Sequence, residues 1–109
     1  MIRIAICDND KETVEKNITK VNECLKEMNK MADIKLYLFA ENLEFDIRDG
    51  ENFDLMIMGV EMQGKSGMDI AKMVKEYSVE TLIIFVTSHS EYAVDAYELS
   101  VFRYVYEKK

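Results

Sequence analysis

The stretch from residue 54 to residue 67 reads DLMIMGVEMQGKSG. It begins with a short apolar run, Leu55 to Met58, and continues as a polar segment that contains glycines. Short apolar runs that end in turn residues are typical of strands covered on both faces of a parallel sheet. The stretch therefore predicts a buried strand followed by a turn, with Gly59 at the carboxyl end of the strand.

Apolar runs of the same kind recur along the chain and alternate with amphipathic segments. The runs predict five strands: Ile2–Cys7, Ile34–Phe39, Leu55–Met58, Leu82–Val86 and Phe102–Tyr106. The amphipathic segments predict helices from about Lys11 to Met31, over Asn42–Arg48, from the Ser66-Gly67 turn to Tyr77, and over Glu91–Leu99. This alternation favours an α/β fold with one parallel sheet and right-handed crossovers.

The first helix has the clearest pattern. Its apolar residues recur every three or four positions, at Val14, Ile18, Val21, Leu25 and Met28. This spacing predicts one buried stripe opposite a charged outer face. Either Asn9 or Asp10 is suited to cap the amino end of the helix.

Composition limits the kinds of partner. The chain has 109 residues, 49% of them hydrophobic, which suits a single domain with one core. A net charge of −7 would repel a duplex phosphate backbone, so we expect no direct nucleic-acid binding. No apolar run reaches the ~20 residues of a membrane span, and the amino end shows no signal-peptide pattern. Cys7 and Cys24 fall in a predicted strand and helix, which favours reduced, buried thiols and a cytoplasmic protein.

Three of the predicted strands end in residues that point to a common site. Asp8, Gly59 and Thr87 each follow or close an apolar run. In open parallel sheets, ligands bind beyond the carboxyl ends of the strands, where the strand order reverses. We therefore expect these residues to converge on one crevice.

Five segments of the chain share their order and spacing with a known family. They are IAICDND (residues 4–10), DLMIMGVEM (54–62), GMDIA (67–71), IFVTSHSEYA (84–93) and VFRYV (101–105). Together they resemble the receiver domain of the LytTR/AgrA-type response regulators of two-component systems, over essentially the whole chain. The resemblance implies a flavodoxin-like (CheY-like), doubly wound, five-stranded parallel sheet with strand order 2-1-3-4-5.

The resemblance also assigns the metal and acceptor positions of the pocket. In the family, two adjacent acids after the first strand help to hold a magnesium ion; here the pair is Asp8 and Asn9. The backbone carbonyl of Glu61 would complete the metal shell. The aspartate that accepts the phosphoryl group in the family is replaced by Gly59.

The response positions of the family match more fully. Thr87 corresponds to the hydroxyl residue that senses the phosphoryl group, and Tyr104 to the aromatic residue that moves with it. The lysine that neutralises the phosphoryl group falls on Glu107. A shift of one residue would place Lys108 there, but the position of Tyr104 makes Glu107 the better match.

The resemblance therefore implies a receiver pocket without its usual chemistry, a degenerate (pseudo-receiver) site. Gly59 can neither attack phosphorus nor ligate a metal, while Asn9 and Glu107 remove a metal ligand and a positive countercharge. We expect no phosphorylation at Gly59, no cofactor, and magnesium binding, through Asp8 at most, that is weak or lost. Asp54 is a poor substitute acceptor because it begins its strand about 16 Å from the pocket. Because these departures occur together, simple drift or one introduced change at Gly59 is the less favoured explanation.

The end of the chain leads to a further expectation. Family receivers carry a fifth helix after the fifth strand, whereas this sequence stops at Lys109, so we expect a receiver-like domain over residues 1–109 without that helix or an effector domain. The uncovered apolar surface would favour a partner, either the chain's own effector domain or a second copy in a homodimer. The sequence represents either the receiver portion of a longer regulator or a stand-alone remnant, and the match up to its last residues favours the first.

Three functions remain open. The leading one is a signalling module, not an enzyme, that contacts proteins such as a histidine kinase through its Thr87–Tyr104 side and the Glu91–Leu99 helix. The alternative is the regulatory receiver portion of a longer LytTR-type DNA-binding transcription regulator. A flavodoxin-like enzyme ranks third, because the chain has no phosphate-binding GxxxxGK[ST] motif and His89 has no nucleophile at a meaningful spacing. We expect His89 to be an exposed or capping residue.

Overall fold

The computed structural model describes residues 1–78 and 80–107. Strands and helices alternate along these residues, and every predicted element is present. Their bounds are β1 Ile2–Cys7, α1 Lys11–Glu27, β2 Ala32–Tyr37, α2 Ala40–Arg48, β3 Leu55–Met58, α3 Gly67–Tyr77, β4 Leu82–Thr87, α4 Ala93–Glu98 and β5 Arg103–Tyr106. The α/β class predicted from the apolar runs is confirmed.

The strands form one parallel sheet in the order β2-β1-β3-β4-β5, as predicted. β1 lies beside β3, with Ile6 opposite Ile57, and β3 lies beside β4, with Met58 opposite Phe85. The strand order reverses at β1, so the carboxyl ends of β1 and β3 flank the position where such sheets bind ligands. This topology places the ends of β1, β3 and β4 next to one another.

The two faces of the sheet carry two separate cores, because successive side chains of a strand point to opposite faces. The larger core lies under α2, α3 and α4 and includes Cys7, Met58, Ile70 and Phe85. The smaller core lies under α1 and is formed by Ile4, Ile6, Val14 and Ile57. The apolar stripe predicted for α1 packs on this second face, where Ile18 and Val21 are partly buried.

The face under α1 is covered unevenly. Leu82 and Val105 lie on this face by their register with β3 and β4, and they are 45% and 39% exposed. Ile84 and Val86, between them and the α1 core, are only partly buried. Apolar surface is therefore present on β4 and β5, and the expectation that an effector domain or a second copy binds it stays a prediction.

The carboxyl end of α1 differs from the prediction. The helix ends at Glu27 rather than near Met31, because Asn29 adopts a left-handed conformation with φ of 53°. The amide of Lys30 then donates to the carbonyl of Leu25 at 2.9 Å, which closes the helix end. Met28, predicted as part of the buried stripe, lies beyond this end and is 56% exposed.

The second strand lies two residues earlier in the chain than predicted, and the second helix begins two residues earlier but ends at Arg48 as predicted. β2 occupies Ala32–Tyr37 instead of Ile34–Phe39, since it pairs along its whole length with β1, from Ile2 opposite Ala32 to Cys7 opposite Tyr37. Phe39 precedes α2 as its cap residue rather than closing the strand. β1 and β3 have the predicted bounds, and the remaining bounds differ by at most two residues, as is usual where helices and strands end.

The two cysteines are free, as predicted, but only one is buried. Cys7 lies in the larger core, whereas Cys24 is exposed on α1, so the prediction of burial was wrong for Cys24. The helical spacing places Cys24 beside the apolar stripe and not on it. Among the described residues, the helices are too short or too polar to cross a membrane.

Candidate functional site at the carboxyl edge of the sheet

A cavity of about 170 Å³ opens at the carboxyl edge of β1, β3 and β4. The structure brings all six residues predicted for the pocket to its wall: Asp8, Asn9, Gly59, Glu61, Thr87 and Glu107. Further lining residues come from α1 and from the segment after β4, including Lys16, Asn17 and His89. The convergence expected from the strand ends is therefore present.

The turn after β3 is held by short backbone contacts. The amide of Gly67 donates to the carbonyl of Val60 at 2.7 Å, and the hydroxyl of Ser66 accepts from the amide of Met68 at 3.0 Å, which caps α3. Gly67 is required here, because a side chain at this position would collide with the carbonyl oxygen of Gly59. This packing fixes Gly59 and the residues after it at the floor of the cavity.

Asp8 takes the space next to Gly59. The amide of Gly59 donates to the carbonyl of Cys7 at 3.1 Å. A Cβ atom added at Gly59 would lie closer to the Oδ2 atom of Asp8 than van der Waals contact allows. The Oδ1 atom of Asp8 accepts from the amide of Asp10 at 2.9 Å, and the residue is only 9% exposed. A side chain at residue 59 would therefore require the terminal carboxylate of Asp8 to move aside.

The amino end of α1 begins beside this carboxylate. Asp10 is the cap residue, but its side chain makes no hydrogen bond to a helix amide. Its Oδ2 atom instead accepts from the hydroxyl of Thr13 at 2.7 Å. Of the two capping residues left open by the sequence, the structure therefore places Asp10 at the cap, and Asn9 lies exposed at the cavity wall.

Glu107 lies directly after β5 and pairs with a lysine of α1. Its amide donates to the carbonyl of Thr87 at 2.8 Å, and its carboxylate lies 2.9 Å from the Nζ atom of Lys20. This hydrogen bond to Lys20 lowers the pKa of Glu107, and the nearby positive charge of Lys16 acts in the same direction. Lys108, the other residue considered for the family lysine, is outside the described residues.

Thr87 and Tyr104 are linked through one backbone segment. The Oγ1 atom of the buried Thr87 accepts from the amide of His89 at 3.1 Å. The hydroxyl of Tyr104 donates to the carbonyl of the same His89 in a very short hydrogen bond. The ring of Tyr104 meets Phe85 edge-on, with 6.1 Å between ring centroids, and its burial raises the pKa of its hydroxyl.

The side chain of His89 lies at the mouth of the cavity, between acidic residues. Its Nε2 atom is 3.0 Å from Oε2 of Glu61, and its Nδ1 atom is 3.5 Å from Oε2 of Glu91. The hydroxyl of Tyr92 donates to the other oxygen of Glu61 at 2.5 Å, and this hydrogen bond raises the pKa of Tyr92. The sequence-based expectation of an exposed or capping His89 did not include these contacts, because Glu61 comes from a turn that is distant in the sequence.

Asn17 also belongs to the cavity wall and was missed by the sequence reasoning. It is 5% exposed, and its Nδ2 atom has no hydrogen-bond partner among the described residues. The sequence does indicate that Asn17 is buried. It lies three residues after Val14 and so falls on the buried stripe of α1. A polar side chain at such a position is uncommon and points to a site or to a local weakness.

The residues at this edge do not fit the family's magnesium ion well. Magnesium favours octahedral oxygen ligation that includes one or two carboxylates. Among residues 1–78 and 80–107, no group of three His, Cys, Asp or Glu side chains lies close enough together to hold a metal ion. Gly59 supplies no ligand, and one oxygen of Asp8 already accepts from the amide of Asp10.

Comparison with known proteins decides the family. Residues 4–108 match the response regulator receiver domain. The chain belongs to the receiver domain family. It is therefore the receiver domain of a two-component response regulator, and receiver domains are signalling modules that interact with histidine kinases and effector domains.

Solved receiver structures share the fold. The BeF3-activated receiver domain of DrrB superposes with a TM-score of 0.76 at 29% identity, and covers 98% of this chain and 85% of that one. The TrrA protein of Thermotoga maritima, in complex with magnesium and beryllofluoride, gives a TM-score of 0.72 at 28% identity, over 99% of this chain and 88% of that one. The flavodoxin-like (CheY-like) architecture is confirmed.

The sequence relatives are regulators of the LytTR type. The transcriptional regulatory protein NatR of Bacillus subtilis is 28% identical over 96% of this chain and 43% of its own length. The sensory transduction protein LytR of Staphylococcus haemolyticus is 30% identical over 77% of this chain and 34% of its own length. The chain thus spans less than half the length of these relatives.

Proposed function

We propose that this receiver domain signals by protein–protein contact in the cytoplasm and is not phosphorylated at the position that normally accepts the phosphoryl group. The observation that carries the proposal is Gly59 at the end of β3, with the carboxylate of Asp8 filling the space beside it. A phosphoryl group needs a nucleophile at this place, and glycine has none. The missing second acid at Asn9 supports the same conclusion.

Charge around the cavity also supports the proposal. Phosphoryl transfer depends on positioned positive charge that stabilises the phosphoryl oxygens. At the position assigned to the family lysine, Glu107 contributes a carboxylate that is paired with Lys20. Its lowered pKa means that it is negatively charged at neutral pH. A negative charge there would repel a phosphoryl group.

The surface beside the switch residues is suited to protein contact. Val94, Tyr97, Phe102 and Tyr106 on α4, β5 and their connection are each half or more exposed. Large apolar side chains gathered on one surface commonly mark a contact site. We therefore propose that the partner, a histidine kinase or an effector domain, reads this surface together with Tyr104.

A second proposal concerns the parent protein. The relatives named as transcriptional and sensory transduction regulators extend well beyond the matched region, since this chain spans 43% of NatR and 34% of LytR. We propose that the receiver is the regulatory portion of such a LytTR-type regulator, whose DNA-binding domain lies outside this sequence. Its acidic charge of −7 supports a regulatory role over direct DNA binding.

Incubation with acetyl phosphate and magnesium tests whether the domain stays unphosphorylated. We expect no phosphoryl group by intact-mass measurement and no shift of pocket resonances in NMR when beryllofluoride and magnesium are added. Stoichiometric modification, or a specific shift at Asp8 or Glu61, would refute the proposal. The receiver domain of DrrB, whose beryllofluoride-activated form is known, serves as the positive control for the reagents.

A further inference from the structure

His89 connects the cavity to the response side of the domain in two separate ways. Its backbone contacts both switch residues. The amide of His89 donates to the Oγ1 atom of Thr87, and the carbonyl of His89 accepts from the hydroxyl of Tyr104. Its side chain lies 3.0 Å from Glu61, which belongs to the turn after β3. The position of Tyr104 therefore depends on where the segment carrying His89 is held.

Glu61 holds that segment at two points. One carboxylate oxygen faces the Nε2 atom of His89, and the other accepts from the hydroxyl of Tyr92 at 2.5 Å. His89 and Tyr92 are also neighbours, with 6.2 Å between their ring centroids at an angle of 68°. Two contacts to one carboxylate restrain both the position and the rotation of the segment between β4 and α4.

We propose that Glu61 and His89, with Tyr92, form a clamp that keeps Tyr104 bound to the segment after β4 without a phosphoryl group. This inference rests on the proposed function, because it assigns to the clamp the holding role that a phosphorylated aspartate cannot supply here. His89 is a positioning residue in this arrangement: it acts on the protein-contact surface through the Tyr104 hydroxyl. The resting domain then presents one fixed form of the α4–β5 surface.

Glu91 provides the matched control for charge. It lies on the same segment and also faces His89, but at 3.5 Å from Nδ1 and with its side chain 62% exposed. Its negative charge acts on the hydroxyls of Tyr92 and Tyr104, but among the described residues it makes no hydrogen bond to either one. Removing this charge therefore leaves both contacts of the clamp in place. If electrostatic attraction to His89 alone held the segment, Glu91→Gln and Glu61→Gln would act alike.

Fluorine NMR of the whole chain labelled with 3-fluorotyrosine tests the clamp, with Tyr104→Phe identifying the Tyr104 signal. Line broadening by a soluble paramagnetic agent reports how far Tyr104 is released to solvent. We expect His89→Ala to raise the released fraction by about two- to fivefold, as for the loss of one partly exposed polar contact. Glu61→Ala removes both contacts and has the larger effect, roughly tenfold. His89→Gln, whose amide reaches Glu61, restores the parent signal, and Glu91→Gln leaves it unchanged.

An unchanged Tyr104 signal in both His89→Ala and Glu61→Ala would overturn the clamp, as would an effect of Glu91→Gln equal to that of Glu61→Gln. Circular dichroism of each variant shows whether the domain is still folded, and a variant that unfolds is replaced by Tyr92→Phe, which removes only one hydroxyl. The proposed function fails by a different result: movement of the Tyr104 signal of the unaltered chain by beryllofluoride and magnesium. The two proposals can therefore fail separately.

Discussion

The two halves of the cavity differ in what they retain. The acceptor half, as we call the part around Asp8 and Gly59 that we propose has lost its acceptor, has a carboxylate in the space beside the glycine. The response half, as we call the part around the proposed switch residues Thr87 and Tyr104, has both of these residues in contact with the segment after β4. If position 59 is not phosphorylated, as we propose, the response surface stays assembled without that signal, because the two halves are stabilised by different contacts.

Restoring the acceptor half is expected to give the largest effect. The combined substitutions Gly59→Asp, Asn9→Asp and Glu107→Lys supply the nucleophile, the second acid and the countercharge that the family uses. We expect magnesium-dependent modification by acetyl phosphate, from none in the parent to a readily measured fraction by intact-mass analysis. Gly59→Asp alone lacks the second acid and the countercharge, so it is expected to stay unmodified. Modification of the parent itself would remove the contrast between the two halves.

Crowding beside Gly59 predicts a loss of stability on adding even one methyl group. Gly59→Ala should lower the free energy of unfolding by about 1–3 kcal/mol, the usual range for an added carbon in a packed site. The displaced group is the Asp8 carboxylate, so in an Asp8→Ala background the same change should be nearly neutral. Urea unfolding of the parent, Gly59→Ala, Asp8→Ala and the double variant gives the coupling free energy between residues 8 and 59. Equal losses in both backgrounds would show that Asp8 is not the obstacle.

Asn17 offers a substitution that should stabilise the acceptor half. Its buried Nδ2 atom lacks a partner among the described residues, so Asn17→Leu removes an unsatisfied polar group and adds apolar burial. We expect a gain of about 1–3 kcal/mol in the free energy of unfolding. Asn22→Leu, on an exposed turn of the same helix, is the control and should change little. A loss of stability in Asn17→Leu would mean that the amide has a binding role.

The smallest effect is expected from the Glu107–Lys20 pair, which joins the two halves. Because the folded-state pKa of Glu107 is lowered from 4.5, its stabilisation is present above pH 4.5 and is lost as pH falls through the lower folded value. The pair is partly exposed, with side-chain exposures of 34% for Glu107 and 59% for Lys20. It therefore contributes about 0–1 kcal/mol to the free energy of unfolding. Lys20→Ala should remove this pH dependence in melts compared between pH 3 and pH 6, whereas Lys26→Ala should not. An identical pH profile in Lys20→Ala would exclude the pair as a contributor.

Local pattern was enough to predict the elements but not all their ends. The buried runs Leu55–Met58 and Leu82–Val86 are covered on both faces, so their apolar composition identifies them directly. The bounds of β2 depend instead on pairing with β1, which no local pattern contains. The end of α1 depends on the backbone conformation of Asn29, a residue type that visits the left-handed region.

The candidate site shows the same division. Strand ends predicted that Asp8, Gly59 and Thr87 meet at one edge, since parallel strands present their carboxyl ends together. Asn17 could have been found from its place on the apolar stripe of α1. The contacts of His89 could not, because Glu61 reaches it from the turn after β3 and Tyr104 reaches it from β5, and their side-chain directions depend on packing.

The sequence by itself determined the number and type of the elements, the strand ends that form the pocket, and the glycine at the acceptor position. These features follow from local apolar patterns and from residue identity, which do not change on folding. Only the tertiary structure decided that the Asp8 carboxylate takes the space beside Gly59, that Glu107 pairs with Lys20, and that Glu61 contacts His89. Each of these joins residues far apart in the chain, and such contacts exist only once the sheet has brought its strand ends together.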